Sequence, residues 1–392
     1  MALPNIHIQL KNGSLGRVVR GDDGVTGLIV TGEAVADKLE LNKVYQLSSP
    51  RDLTILGITA ENNPLAYKDL LAFYREAGDG AELYLLVVPA ATTLSQMGAI
   101  EADAPIRKLI DYSRGRIRLV GFNRLPAAGY SADTETTGID KDAVTGAASV
   151  QAVAESYAEK IIPFRWLLPA LLWDGSTEHL YKPRESTYSR VGFVMATDDP
   201  QNHTAAIGQI LGRTAGLPVN YSLGRVKSGA VTAEGWLTDG RIPEECETLL
   251  PTLDEAGYIV YRTFVRKNGY YLNGDPMAAP LSDDYSNLNL GRVIDKAVLI
   301  VYETYIDEIL DSVEADEMGH LSAAACASYE RMIDSAVGSR MKDEISSFSA
   351  YIDPDQDILT TSEMKINCLI TPKGILRDIN VTLGFDNPAL KQ

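Results

Sequence analysis

The sequence is poor in the residues on which most enzymes and metal proteins rely. Of 392 residues, three are cysteine (Cys246, Cys326, Cys368) and four are histidine (His7, His179, His203, His320). The cysteines lie far apart with no C-x-x-C pair, which fits reduced thiols and excludes a disulfide framework. No two histidines stand at metal-ligand spacing. There is no G-x-x-x-x-G-K-[ST] loop, no G-x-G-x-x-G after a predicted strand and no G-x-S-x-G elbow. Gly78-Asp79-Gly80 follows a predicted helix, the wrong side for a phosphate cradle. A Ser-His-Asp set could assemble only in space, and nothing in the pattern points to one. Asp353-Pro354-Asp355-Gln356-Asp357 starts like a calcium loop, but Ile358 replaces its glycine and Met364 its bidentate glutamate, so it reads as a solvated turn. No catalytic set, cofactor or metal is therefore expected.

Long apolar runs are also missing: none approaches the ~20 residues needed to cross a bilayer. Met1–Asn5 lacks the basic start and apolar core of a signal peptide. These absences predict a protein made in the cytoplasm that stays there or joins a particle built there. Basic residues are few, 36 against 53 acidic, for a net charge of −17. Such a surface repels phosphate backbones, so direct nucleic-acid binding is not expected. It also opposes self-association, which would need shape, backbone pairing or local charge complementarity.

What is present is a regular alternation of helical and strand patterns. Pro64 opens a helix that Gly78 closes, and Glu82–Pro89 is a wholly apolar strand. Ser49-Pro50-Arg51-Asp52 reads as a capped helix start, with Ser49 as the cap. The pattern repeats with a helix over Pro105–Tyr112 and a strand over Ile117–Phe122. A helix over Ala143–Ile161 then precedes the apolar segment Phe164–Trp173. The strand Val191–Ala196 and the helix Thr204–Thr214, closed by Gly216, complete the series. Alternating helices and fully apolar strands predict an α/β domain over residues 21–216 with a largely parallel sheet. Leu125–Lys141 reads as a long loop, and residues 217–257 as an irregular connection.

Residues 258–375 form a second predicted domain, making the chain α+β overall. It opens with the strand Tyr258–Val265, a turn at Arg266–Gly269 and a returning strand at Tyr270–Leu272. A first long helix carries Val298, Val301, Tyr302, Tyr305, Ile306, Ile309, Leu310 and Val313 at 3- and 4-residue spacing. A second, Leu321–Ile345, carries Leu321, Ala325, Tyr329, Met332, Ile333 and Ala336, and both stripes are expected to pack against core and not to bind a cofactor. Two closing strands are expected at Met364–Ile370 and Ile375–Leu383, turning at Pro372-Lys373-Gly374. At the other end of the chain, Ile6, Ile8 and Leu10 alternate with polar residues. They fit either an edge strand of the protein's own sheet or an arm that pairs with a neighbouring copy.

The order of several motifs resembles contractile tail sheath proteins of phages and related injection systems. Gly269–Met277, Asp284–Leu288 and Asn289–Ala297 lead into the first long helix, and Lys365–Pro372 with Ile379–Leu383 follow the second. Upstream, Asn220–Gly229 resembles the loop before the family's C-terminal domain. Tyr45–Pro50 and Gly80–Tyr84 resemble the family's start. Many sheaths have two adjacent arginines at the start of the long helix, whereas this chain has Gly291 and Arg292.

The resemblance implies a non-enzymatic structural subunit forming six-membered rings stacked helically around an inner tail tube, with baseplate and tail terminator proteins as further partners. It implies localisation in a virion tail or injection particle after synthesis. It also implies terminal arms, residues 1–20 and 376–392, that add strands to a small sheet on neighbouring copies. Ile6, Ile8, Leu10, Ile379, Val381 and Leu383 would set their register. Contraction would then be a switch between two packings of rigid bodies. The second helix, with Glu330, Arg331, Arg340, Lys342, Asp343 and Glu344 outermost, is the candidate tube-facing surface; an ordinary solvated helix face is the alternative. The rival readings are a baseplate component and, from a different class, an α/β enzyme such as a hydrolase using a crevice at strand ends.

Overall fold

The computed structural model describes residues 22–386. The strand expected at Ile6, Ile8 and Leu10 lies outside the described residues. The chain divides into two units, Met1–Ser312 and Val313–Gln392.

The first unit is built on a seven-stranded sheet whose order across the sheet is β2-β3-β1-β4-β5-β6-β9. In chain order its elements begin with β1 (Thr26–Gly32), β2 (Val44–Leu47), α1 (Arg51–Leu56), α2 (Pro64–Ala77), β3 (Leu83–Pro89), α3 (Leu94–Met97) and α4 (Pro105–Tyr112). They continue with β4 (Leu119–Asn123), α5 (Lys141–Ala158), β5 (Arg165–Pro169), β6 (Val191–Val194), β7 (Ala196–Thr197) and α6 (Ile207–Gly216). After β8 (Trp236–Leu237) and α7 (Leu250–Ala256) come β9 (Tyr258–Ile259), β10 (Tyr261–Arg262), β11 (Tyr271–Leu272) and α8 (Leu288–Tyr305). All neighbours in the large sheet are parallel except β2, which runs antiparallel to β3.

The wholly apolar strands are explained by burial on both faces. Ile29, Leu86, Val88, Phe122 and Trp166 point into a core shared with α3, α4 and α5. Their neighbours Leu28, Val30, Leu85, Val87 and Leu167 point into a second core shared with α2 and α6. The predicted α/β layer is thus present. Helices α2 and α6 approach so closely that a Cβ on Gly208 would stand 2.1 Å from the Asp69 carbonyl oxygen. One on Gly212 would stand 2.3 Å from that of Phe73. Only glycine permits that contact.

Several local expectations change. At α1 no side chain caps the helix, Ser49 included; the Asp52 carboxylate instead reaches back to the entering chain, accepting from the Ser48 and Ser49 amides at 2.7 and 2.9 Å. The strand expected at Tyr258–Val265 is split. Its first half, β9, joins the large sheet beside β6, and its second half, β10, pairs antiparallel with β11. The side chain of Asn273 effects the division, accepting from the Val260 amide and donating to the Tyr258 carbonyl. The buried face of α8 is Leu288, Val293, Ala297 and Ile300 together with Arg292 and Asp295. The stripe expected from Val298 onward is not core: Tyr302, Ile306, Ile309 and Leu310 are exposed. The helix gives way after Tyr305 to a 3-10 turn at Ile306–Glu308, and Leu310 takes a left-handed φ of 68°.

The second unit contains α9 (Ala323–Arg340), β12 (Ile345–Ile352), α10 (Ile358–Thr361) and β13 (Ile366–Pro372). Ser322 caps α9 by accepting from the Ala325 amide, and Cys326, Tyr329, Ile333 and Val337 form its buried stripe. The helix ends at Arg340, five residues before the predicted end at Ile345. Strand β12 pairs antiparallel with β13, with a register shift between Ile345 and Ser347. The expected hairpin between Met364–Ile370 and Ile375–Leu383 is therefore not formed. Its first strand turns to β12 instead, which α9 covers, and residues 373–386 form no ladder within the described chain. Asp357 caps α10 through the Thr360 amide, so the acidic run 353–357 closes a turn.

Candidate functional site

The sheet has one topological switch point, between β1 and β4, where an enzyme of this topology would place its ligand. Here that place is filled by the protein's own groups. Asn123, at the end of β4, donates to Asp69 Oδ2 at 2.7 Å and to the Ala205 carbonyl at 2.8 Å. The Thr31 hydroxyl accepts from the Leu125 amide at 2.9 Å. Asp69 is fully buried, and burial pushes its carboxyl up to about 7 against the opposing pull of Lys68. Lys68 pairs with Asp198 at 2.9 Å and donates to Thr204 at 3.0 Å.

Beside this cluster, buried Arg124 lies 3.6 Å from Asp140 and 3.8 Å from Asp142, with its guanidinium over the Tyr130 ring. The loop Leu125–Lys141 is thereby pinned at Tyr130 and Asp140, whose carboxyl burial holds above its ordinary value. An open depression of about 700 Å³ lies nearby, lined in part by Val35, Lys38, Thr54, Thr59, Glu61 and Tyr67. The lining residues include no histidine or cysteine, and the hydrogen bond from the Thr59 hydroxyl holds the fully exposed Glu61 carboxyl below its ordinary value, which makes it a weaker base.

The start of α8 is where distant parts of the sequence meet. Asp275 accepts from the Asn289 amide at 2.8 Å through its side chain and from the Leu288 amide at 2.8 Å through its carbonyl, so it caps the helix. The Ser222 hydroxyl donates to the same carboxylate at 2.5 Å, and Asn289 donates to the Asn220 carbonyl at 3.4 Å. One turn on, a Cβ at Gly291 would stand 2.0 Å from the Arg165 guanidinium carbon. The glycine is thus explained: a guanidinium does lie here, but β5 supplies it. Arg165 pairs with Asp295 at 2.9 Å, and Arg190 reaches the same carboxylate at 3.3 Å. Burial pushes the Arg165 guanidinium below its ordinary value, and Asp295 opposes that shift. The motifs singled out in the sequence at 220–229, 269–277, 284–288 and 289–297 therefore meet in one junction that fixes α8 to the sheet.

Family profiles match both parts of the chain: "DUF2586, N-terminal domain" over residues 3–275 and "DUF2586, C-terminal domain" over residues 284–390. The chain belongs to the DUF2586 family. The search of curated proteins finds no match. Among solved structures, this DUF2586 chain is similar to one from the helical sheath of the anti-feeding prophage in its contracted state. That likeness has a TM-score of 0.64 at 15% identity, covering 98% of this chain and 100% of the other. A chain of the six-fold symmetrised baseplate of the same prophage gives a TM-score of 0.61 at 15% identity, covering 99% and 100%. A sheath tail protein from Desulfitobacterium hafniense gives 0.55 at 12% identity, covering 94% and 100%. The DUF2586 chain thus has the fold of tail sheath proteins over nearly its whole length.

The predicted site residues fall in different settings. Ile379, Val381 and Leu383 are 75%, 78% and 93% exposed, and Phe385 continues the alternation in the open. Of the six residues assigned to one helix face, Glu330, Arg331 and Arg340 lie on α9, whereas Lys342, Asp343 and Glu344 lie in the turn to β12. Glu330 faces inward and accepts from the Ile352 amide at 2.8 Å. Sequence reasoning does not mark Asp69, Asn123 or Arg165, and it includes Asp275 and Asp295 only as members of motifs, with no role of their own. Only their partners mark them, and those are distant in the chain. No helix among the described residues is long and apolar enough to cross a membrane.

Proposed function

We propose that this protein is a subunit of a contractile tail sheath. Copies would polymerise as six-membered rings stacked around an inner tube, and contraction would drive that tube through a target envelope. The observation that carries this reading is the end of the second unit. Strands β12 and β13 form a two-stranded sheet, and each has one side with no strand beside it among the described residues. A sheet of two strands is marginal in water and gains by adding more. The chain then runs on through residues whose alternating apolar side chains are exposed and unladdered. A segment of that pattern supplies backbone donors and acceptors to a sheet edge, and its alternation fixes the register. Passing the segment to the next copy gives a heterologous contact that propagates instead of closing.

The predicted division of labour follows. Residues 1–20 and 376–392 act as arms, the junction at α8 keeps the body rigid, and α9 with its following turn is the candidate surface for the tube. Partners would be further copies, the inner tube, and baseplate and terminator proteins. The filled switch point favours a non-enzymatic role over a hydrolase. The likeness to a baseplate chain favours a second reading, in which copies form one ring only. Negative-stain images of the purified protein, alone and with its tube protein, separate these readings. Striated tubes are expected; single rings would favour the baseplate reading, and a stable monomer under all conditions would contradict both.

A further inference from the structure

Asp23 lies in the 3-10 turn Asp22–Gly24 that leads into β1, and three contacts hold this turn. Gly24 lies so near α6 that a Cβ there would stand 2.8 Å from the Ala215 carbonyl oxygen. Arg292 of α8, itself buried, donates from Nη2 to the Asp23 carbonyl at 3.3 Å and to the Leu217 carbonyl at 3.4 Å. One helical turn further, Lys296 Nζ stands 2.7 Å from Asp23 Oδ2. Positions four apart share a helix face, which is why both cations reach the same residue. The two side chains of the Lys296–Asp23 pair are 15% and 30% exposed, so the pair sits at the rim and not in the core. A strand can begin without such a clasp. This one ties the base of the segment preceding Asp23 to the helix that the junction already locks to the sheet.

We propose that Asp23, Arg292 and Lys296 are an anchor that fixes where and in which direction the N-terminal segment leaves the body, and so positions it to engage a second copy of this chain. The inference rests on the sheath reading. Its physical basis is tether geometry: the effective concentration of a tethered segment at its target depends on the length of flexible chain behind it and on where that chain is rooted. Freeing Asp23 loosens the root of the segment and its direction of exit, without touching the segment's own pairing residues. Arg292 has a buried share in the junction and is a positioning residue with a structural role as well. Lys296 is the member that can be altered without opening the core.

The test uses the full chain with Lys296→Gln, Asp23→Asn and the charge swap Asp23→Lys with Lys296→Asp. Two readouts are followed: the rate of trypsin cleavage after Arg20 in the unassembled protein, and the critical concentration for polymerisation. Either single variant is expected to raise both, cleavage several-fold and critical concentration by about threefold to tenfold, with the thermal unfolding midpoint unchanged. The swap is expected to restore both. Unchanged cleavage in the single variants overturns the anchor. So does an unchanged critical concentration when the wild type polymerises, and in that case the sheath reading stands. A wild type that never polymerises overturns the sheath reading, and the cleavage rates still decide the anchor.

Discussion

Replacing Asp295 by Asn removes the carboxylate that the buried Arg165 and its neighbour Arg190 share among the described residues, without changing side-chain size. Arg165 is 1% exposed and Asp295 5% exposed, so no solvent is at hand to take over the charge. Arg190, at 17%, is better placed to find water. Breaking a buried pair by removing one partner costs about 3–5 kcal/mol, because the remaining charge stays desolvated. Asp295→Asn should fall in that range, since two cations lose their anion while only neutral acceptors remain. The Ser189 carbonyl still accepts from Arg165, and the Phe164 carbonyl from Arg190, which keeps the loss from being larger. Arg190→Gln should cost no more than about 1–2 kcal/mol, the range of an ordinary hydrogen bond at a wet rim. Replacing Arg165 by Met together with Asp295→Asn should recover much of the loss, because the buried charge itself is then gone. The assay is urea unfolding followed by tryptophan fluorescence. Trp166, Trp173 and Trp236 all lie in the first unit, so the signal reports the body that this pair braces. An Asp295→Asn protein that loses less than about 1 kcal/mol would refute the reasoning.

Two further predictions concern the same unit. The Asp69 carboxyl, raised by burial to about 7, contributes stability that is fully present below pH ~4 and lost as pH rises through about 7. The span, about three pKa units at ~1.36 kcal/mol each, bounds the loss at roughly 4 kcal/mol. Asp69→Asn, which keeps an acceptor for Asn123, should flatten the unfolding free energy between pH 5 and 8, and profiles that stay parallel would contradict this. Gly212→Ala must push α6 away from the Phe73 carbonyl and should cost about 1–3 kcal/mol despite the better helix propensity of alanine. A neutral variant would mean that the two helices have room to part.

The large sheet and its covering helices were legible because burial on both faces leaves an unmistakable run of apolar residues. Pro64 and Pro105 mark helix starts in the sequence and do so in the structure. Strand β12 was not legible: Ser346, Ser347 and Ser349 dilute its alternation, and the charged run from Arg340 to Glu344 extends the helical look of what precedes it. With β12 hidden, β13 was assigned the nearest downstream partner. The apolar stripe after Val298 was read as core because periodicity marks a face without telling what covers it. The junction at α8 was half visible. The motifs around Ser222, Asp275 and Asn289 were seen as a family-like order, but their convergence on one carboxylate is a property of the folded chain. Arg165 and Asp295 stand 130 residues apart, and a buried pair at that separation leaves no local signal.

The central claim is that the chain ends join copies through backbone pairing and not through side-chain chemistry. Proline at both Asn380 and Val381 tests it most directly. Successive residues of an added strand turn their N–H groups to opposite sides, so the pair of prolines removes a pairing donor in either register. Each lost bond costs about 1 kcal/mol directly, and the proline rings disturb the ladder further. Val381→Thr, which keeps the backbone and a β-branched side chain, is the control. In negative-stain images the double-proline protein should remain folded and unpolymerised at concentrations where the wild type and Val381→Thr form striated tubes. Tubes of unchanged length and abundance from the double-proline protein would contradict the account.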